Sequence, residues 1–120
     1  MTPDTPAPIG PYRPVVRAGD WLVSSGQLGL SSGKLLDGIE AQTSQALANL
    51  NDLLEAEGAS LRSVTKTTVF LRHMSDFASM NEVYADAFGD HRPARSTIGV
   101  AELPLGALVE IEAWAHSPLS

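Results

Sequence analysis

The stretch LVEIEAWAH begins at Leu108, and from Val109 onward it alternates small or branched apolar residues with larger, mostly polar ones. Successive side chains of a β-strand point to opposite faces of a sheet, so the alternation predicts a strand over residues 108–115 with one face in a core. The predicted core face holds Val109, Ile111, Ala113 and Ala115, and the other face holds Glu110, Glu112, Trp114 and His116. This second face could simply lie in water, but its large indole favours a cleft or a subunit interface.

Between about residues 39 and 57 the pattern changes to that of a helix. Five apolar residues recur at helical spacing and form one stripe that could pack on a sheet. The stripe is Ala46, Leu47, Leu50, Leu53 and Leu54, and the polar residues placed off it are Gln45, Asn49, Asp52 and Glu55. Gly58 provides a natural end to this helix.

A second helix is predicted after the β-branched segment at residues 64–72, which itself predicts a buried strand. Ser75 is expected to cap this helix, Asp76 suits its positive N-terminus, and Gly89 is expected to end it. Asn81 lies on its polar side and is expected to face solvent. The apolar stripe of the helix is Phe77, Met80, Tyr84, Ala87 and Phe88.

The remaining pattern predicts strands at residues 15–17, 21–25 and 95–102, and a loop at 31–38. The order ββ-α-β-α-ββ favours one α+β domain over residues 1–120, with both helices on one face of the sheet. The other face would then be uncovered, which for so short a chain indicates oligomerisation through the sheet. Residues 1–14 hold five of the eight prolines, so they are expected to form an extended arm over the surface.

Composition argues against several classes of function. A formal net charge of −6 with scattered basic residues disfavours nucleic acid or a membrane surface as partner. The chain has no cysteine, which rules out disulfides and thiol nucleophiles, and its three histidines share no metal-ligand spacing, so no metal site is expected. The N-terminal segment lacks the features of a signal peptide and no apolar run could span a bilayer, so a cytoplasmic protein is expected.

Arg95 and Glu110 are the candidate chemical groups. An arginine at a strand start often faces water, but its planar fork can also hold a carboxylate through two parallel hydrogen bonds. Glu110 could orient or activate a water molecule. If the last two strands formed a simple hairpin, these residues would be offset by about four positions, or roughly 13 Å, which is too far for one small substrate. Either another strand lies between them or the site is assembled from two subunits.

Six motifs in order, IGPY, SSGQ, KTTVFL, FASMNEVYADAF, PARST and VEIEAWA, resemble the Rid family of enamine/imine deaminases, also called YjgF/YER057c/UK114. The resemblance implies a chorismate-mutase-like α+β fold and a homotrimer with clefts between subunits. It also implies that the KTTVFLR strand lies between the last two strands, which accounts for the separation of Arg95 from Glu110. The implied activity is hydrolysis of 2-imino or enamine acids, such as 2-iminobutanoate and 2-iminopropanoate, to 2-oxo acids and ammonia without a metal or organic cofactor.

The resemblance implies roles for individual residues. Arg95 matches the arginine that holds the substrate carboxylate, and Glu110 matches the glutamate that positions the hydrolytic water. The other expected contacts are Gly26 through its backbone, Tyr12 as the aromatic residue that closes the cleft, Asn81 near the site, and Thr97 through its main chain. Thr97 stands where many relatives have cysteine, so a role that needs a thiol is lost. The segment at residues 88–93 is shorter than in many members, which alters the pocket rim.

Other functions fit the same residues. A non-catalytic or regulatory trimer could capture a small carboxylate on Arg95 without turnover, and an enzyme of this family could act on other imines or related C–N bonds. The family is also connected with RNA cleavage and chaperone-like behaviour. The net charge of −6 makes RNA the poorer candidate.

Overall fold

The computed structural model describes residues 7–119, so residues 1–6 of the predicted arm lie outside the described residues. Residues 7–14 form no regular element. From there the described chain contains strands β1 (Val15–Ala18), β2 (Trp21–Ser24), β3 (Gln27–Leu28), β4 (Leu30–Ser31) and β5 (Lys34–Leu35), helix α1 (Ile39–Glu55), strand β6 (Val64–Leu71), helix α2 (Phe77–Phe88), and strands β7 (Ala94–Gly99) and β8 (Val109–His116). Short 3-10 turns at Leu61–Ser63, Met74–Asp76 and Pro104–Gly106 precede β6, α2 and β8.

The main sheet has the strand order β1-β2-β8-β6-β7, and β3 also pairs with β8. Strands β6 and β7 run parallel, because α2 carries the chain back across the sheet between them, whereas the other neighbours are antiparallel. The predicted mixed sheet of an α+β fold is therefore confirmed. The KTTVFLR strand does lie between the last two strands.

The hydrophobic core lies between the sheet and both helices. The predicted stripe of α1 is confirmed, since all five of its apolar residues are buried, and so are the four alternate residues of β8. The stripe of α2 is confirmed only at Met80, Tyr84 and Phe88. Phe77 remains 38% exposed at the first turn of the helix, and Ala87 is exposed beside a groove that borders α1.

In the described part of the chain, no helix packs on the opposite face of the sheet. Its exposed apolar side chains come from β1, β2, β7 and β8: Val16, Trp21, Ile98 and Trp114. Trp114 is 48% exposed and its ring lies edge-on to Trp21, with centroids 6.5 Å apart. The predicted uncovered face is thus present in this chain, and it exposes several large apolar side chains.

Several predicted boundaries are wrong. Ser75 is not the cap of α2, because the chain enters a 3-10 turn at Met74–Asp76 and the helix begins at Phe77. Helix α1 ends at Glu55 rather than at residue 57. Strand β7 ends at Gly99 rather than at residue 102, because its partner strand β6 ends at Leu71, the residue paired with Gly99.

The loop predicted at residues 31–38 contains part of a small hairpin. Leu30 and Ser31 pair with Leu35 and Lys34 across a two-residue turn. Both turn residues have positive φ, 52° at Ser32 and 79° at Gly33, as a type I′ turn requires. The sequence identifies the turn residues. The two strands pair over only two residues each, which is too short to show an alternation of apolar and polar residues.

The predicted position of Asn49 off the core stripe of α1 is wrong. Its side chain is fully buried and its amide donates to the carbonyls of Leu28 and Leu30 at 3.1 and 3.0 Å. The side-chain amide of Gln45 donates in turn to the side-chain oxygen Oδ1 of Asn49 at 2.8 Å. Asn49 therefore satisfies two carbonyls of an irregular segment that has few ladder partners of its own.

We expect Asn49→Leu to lower the free energy of unfolding by about 3 kcal/mol, because the Leu28 and Leu30 carbonyls would lose their donor while remaining buried. Urea unfolding followed by circular dichroism at one fixed protein concentration measures the change. Ser44→Leu, at an exposed position of the same helix, is the control and should change stability by less than about 0.5 kcal/mol. Equal stability of the two variants would contradict this role for Asn49.

Candidate active site

Glu110 projects from β8 on the face away from the helices and is half-buried. It lies directly over Gly26, where a β-carbon would overlap the Glu110 carboxylate. Burial raises the pKa of the Glu110 carboxyl above its usual value, and the negative charge of Glu112 raises it further. Glycine at position 26 is therefore what allows this carboxylate to pack against the backbone.

The Glu110 carboxylate borders a cleft beneath the N-terminal arm. Residues that line this cleft include Tyr12, Gly26, Leu28, Leu30, Pro104 and Glu110. The arm is tied to the end of β2, since Ser25 donates from its hydroxyl to the Arg13 carbonyl at 2.6 Å and from its backbone to the Pro14 carbonyl at 2.8 Å. Tyr12 is exposed at the mouth of the cleft, where an aromatic residue could close over a ligand.

Arg95 lies on the other side of the sheet, toward α2. Its guanidinium carbon is 4.8 Å from the centre of the Tyr84 ring and 5.6 Å from that of Phe77, and Nη1 lies 3.9 Å from the Met80 sulfur. Aromatic rings attract a cation without using its hydrogen-bond donors. No ion pair joins Arg95 to a carboxylate of the described residues, so its donors other than the one that contacts the Met80 sulfur remain available.

Tyr84 is fixed beneath Arg95 by a second contact. Its hydroxyl lies 2.7 Å from the Thr67 hydroxyl in the core, in a buried hydrogen bond. Burial raises the pKa of Tyr84, although the bond to Thr67 and the charge of Arg95 act in the opposite direction. Tyr84 therefore stays neutral at physiological pH and holds its ring in one place under the guanidinium.

A second cleft contains Arg95, and its lining is Asn81, Tyr84, Ala85, Arg92, Pro93 and Arg95. The prediction that Asn81 faces solvent is wrong for its side-chain oxygen Oδ1, which is buried and has no hydrogen-bond partner among the described residues. Thr97 follows Arg95 by two positions on β7 and pairs with Val69. It is half-buried and does not line either cleft.

Within one chain the predicted residues form two separate groups. Arg95 pairs with Thr67 and Glu110 pairs with Phe70, and these two positions of β6 are three residues apart, roughly 10 Å. An odd spacing along a strand also places side chains on opposite faces. The intervening strand β6 therefore accounts for the offset between Arg95 and Glu110, but it does not bring them together. Arg95 shares a cleft with Asn81, whereas Glu110 shares the other cleft with Gly26 and Tyr12.

Sequence reasoning missed the aromatic support of Arg95 and the second arginine of its cleft. Phe77 and Tyr84 were assigned only to the apolar stripe of α2, although their seven-residue spacing places both rings on one side of the helix. Arg92 stands three positions before Arg95 in HRPAR and received no role. The two arginines on either side of Pro93 and Ala94 were the signal in the sequence that could have indicated a shared cleft.

Within residues 7–119 no group of three or more histidine, aspartate or glutamate side chains has the geometry of a metal site. Of the helices in the same residues, none combines the length and the apolar character that crossing a membrane requires.

The fold and the clefts define a small α+β protein with both helices on one face of its sheet. One cleft contains the guanidinium of Arg95, and the other contains the half-buried carboxylate of Glu110. The family model described as Endoribonuclease L-PSP matches residues 2–117, and the chain belongs to this family, the YjgF/Rid family indicated by its motifs.

Relatives cover nearly the whole chain. A RutC family protein of Pyrococcus horikoshii is 47% identical over 119 residues, 97% of this chain and 94% of the relative. The 2-iminobutanoate/2-iminopropanoate deaminase of Mus musculus is 45% identical over 117 residues, 95% of this chain and 87% of the relative. The crystal structure of Escherichia coli TdcF with bound serine has a TM-score of 0.91 and 36% identity, with 97% of this chain and 95% of the other covered.

The raised pKa of Glu110 makes stability depend on pH in a defined direction. The folded state holds its proton to higher pH than the unfolded state, so stability falls as pH rises from the unfolded pKa through the folded one. We expect Glu110→Gln to raise the free energy of unfolding at pH 7 and to have less effect at pH 4, because the half-buried environment disfavours only the charged form of the carboxyl. Urea unfolding at both values measures this.

Glu55→Gln, on an exposed position of α1, is the control for loss of one negative charge. A Glu110→Gln variant that is no more stable than wild type at pH 7, or that gains as much at pH 4, would show that the carboxylate is not held in an unfavourable environment.

Proposed function

We propose that this protein hydrolyses small 2-imino and enamine acids, such as 2-iminobutanoate and 2-iminopropanoate, to the corresponding 2-oxo acids and ammonia. The observation that carries the proposal is the Arg95 guanidinium, which rests on two aromatic rings in a cleft and has no carboxylate partner among the described residues. The murine relative with a deaminase name supports the substrate class.

Arg95 would bind the substrate carboxylate through two parallel hydrogen bonds, which fix the plane of the imino acid. Asn81 lines the same cleft, and its side-chain oxygen Oδ1 is buried without a partner among the described residues. This oxygen would accept a hydrogen bond from the bound molecule. Tyr84 and Phe77 hold the guanidinium in place, so little motion is needed on binding.

Glu110 would orient the water molecule. An imine carbon is already electrophilic, so water addition depends more on alignment than on a strong nucleophile. Water adds to the C=N carbon, a proton passes to nitrogen, and the carbinolamine collapses to the C=O product with release of ammonia. The raised pKa of Glu110 makes its carboxylate a better proton acceptor for this step than an exposed glutamate.

We propose that the two clefts combine at a subunit boundary in a homotrimer. One chain keeps Arg95 and Glu110 on opposite faces of its sheet, so a single substrate can reach both only if they come from different subunits. The uncovered apolar face, with Trp21 and Trp114, is the surface available for that contact.

The first test follows 2-iminobutanoate made in place by a threonine dehydratase while semicarbazide competes for the imine. We expect the protein to accelerate release of 2-oxobutanoate. Arg95→Ala should lower kcat/KM by about 100-fold through loss of charge-assisted hydrogen bonds, and Glu110→Gln should lower kcat by about 100-fold. Arg72→Ala and Glu55→Gln are matched controls, and an Arg95→Ala variant as active as wild type would refute the proposal.

The second candidate is a trimer that binds small carboxylates without turnover, which the serine-bound structure of the TdcF relative favours. In that case no imine would be consumed, ligand binding would still depend on Arg95, and Glu110→Gln would leave it intact.

The oligomer is tested by Trp114→Glu, which places a charge on the uncovered face. We expect sedimentation velocity to show the wild type near three times the 12.7 kDa chain mass. The variant should sediment at the mass of one folded chain, because burial of an unpaired charge in an apolar contact costs free energy. Ala48→Glu, at an exposed position of α1, should remain associated. A wild-type protein that sediments as a single chain would contradict the shared cleft.

We further propose that the reaction uses neither metal nor organic cofactor, that the protein acts in the cytoplasm, and that RNA is not its substrate. The absence of cysteine suits a reducing compartment, and the net charge of −6 disfavours a polyanion. A ribonuclease activity that co-purifies through every step and disappears in Arg95→Ala would reverse the last point.

A further inference from the structure

The segment that leads into β7 has three consecutive side chains able to carry charge, Asp90, His91 and Arg92, and of these Arg92 lines the Arg95 cleft. Asp90 is engaged by Arg62, with Nη1 and Oδ1 3.3 Å apart. The His91 ring nitrogen Nε2 lies 2.7 Å from the Val64 carbonyl oxygen and can donate to it. Arg92 alone of the three makes no hydrogen bond or ion pair with the described residues, and it lines the same cleft as Arg95.

The backbone on both sides of Arg92 is held in place. His91 is anchored to β6 through Val64, and its ring packs near Phe88 with centroids 6.3 Å apart. Pro93 follows with a restricted φ and leads directly into β7. Arg92 therefore projects from a short, fixed segment rather than from a long loop, which limits where its guanidinium can go.

The charge of this cleft is opposite to that of the whole chain. Among residues 7–119, two arginines line it and no aspartate or glutamate does, although the formal net charge of the protein is −6. The charges of Arg95 and Arg92 both act on the Tyr84 hydroxyl, which lies between α2 and the sheet. Like charges in one cleft repel each other, so an anion that contacts both is favoured there over a monoanion that contacts one.

We propose that Arg92 is a specificity residue that binds a second anionic group of the substrate, so that the preferred substrates are 2-imino dicarboxylic acids. This inference rests on the proposed function and assigns the substrate class of the same site. Arg95 holds the carboxylate next to the imine carbon, and Arg92 holds the carboxylate at the far end of the side chain. The reaction is otherwise unchanged: water adds across C=N, and the 2-oxo dicarboxylate and ammonia leave.

The spacing of the two arginines suits a short dicarboxylate. Their backbones are three residues apart, at most about 10 Å, and each fork can reach inward to a carboxylate. The bound molecule would thus be a chain of four or five carbons with a carboxylate at each end. Such imines arise when the amino group of an acidic amino acid is oxidised, so an oxidation of that class must supply this substrate.

The test is calorimetric titration of the whole protein with 2-oxoglutarate and with 2-oxopentanoate, two product-like acids of equal chain length that differ in the second carboxylate. We expect 2-oxoglutarate to bind about fivefold more tightly, as one partly exposed charge pair supports. Arg92→Gln should remove this preference, because it should weaken 2-oxoglutarate more than 2-oxopentanoate. Arg92→Lys should retain part of it, and Arg95→Ala should weaken both ligands.

Arg72→Gln is the matched control, since it removes the same charge beside a different depression, bordered by Glu102 and Leu103. Equal binding of the two acids by the wild type, failure to bind 2-oxoglutarate, or a preference that survives in Arg92→Gln would each refute the role of Arg92. Because binding is measured without turnover, failure of the hydrolase proposal appears separately, as unaltered decay of 2-iminobutanoate.

Discussion

The period-two alternation of β8 is the constraint on which the rest of the structure depends. This strand pairs with β2, β3 and β6, and its apolar residues meet α1 while its glutamates and Trp114 face away. A shift of one residue would exchange the two faces and bury Glu110 and Glu112 beneath the helices. The core, the uncovered face and the position of Glu110 all follow from this one register.

Arg95 illustrates how a charged group is kept available inside a folded chain. A carboxylate partner would neutralise Arg95 and occupy its donors. The Tyr84 and Phe77 rings instead stabilise the cation without using its donors, of which one contacts the Met80 sulfur. The Thr67 hydroxyl fixes Tyr84 in turn. Strand β6 therefore positions Arg95 in two ways, through backbone pairing with β7 and through the Thr67 contact with Tyr84 of α2. The position of the guanidinium in its cleft thus depends on the packing of the core.

Strongly periodic segments were predicted well. The α1 stripe, the β8 alternation and the strand at the centre of the sheet are confirmed because burial of a continuous face leaves a pattern in the sequence. The errors fall where a local signal competed with a tertiary one. Asn49 is polar and was placed off the core stripe, yet it is buried because Leu28 and Leu30 need donors. Ser75 has good capping chemistry, but the chain forms a 3-10 turn there.

For the candidate site residues too, the sequence predicted some features and the tertiary structure decided the others. Sequence alone singled out Arg95 and Glu110, because charges within apolar strands are unusual, and the family motifs added Gly26, Tyr12, Asn81 and Thr97. Only the tertiary structure decided that Arg95 with Asn81, and Glu110 with Gly26 and Tyr12, lie in different clefts. It also decided that Thr97 lines neither cleft. It also decided that aromatic rings hold Arg95 and that Arg92 shares its cleft. A sequence records which residues alternate along one strand, but which cleft a side chain enters depends on strand order and helix placement, and long-range packing determines both.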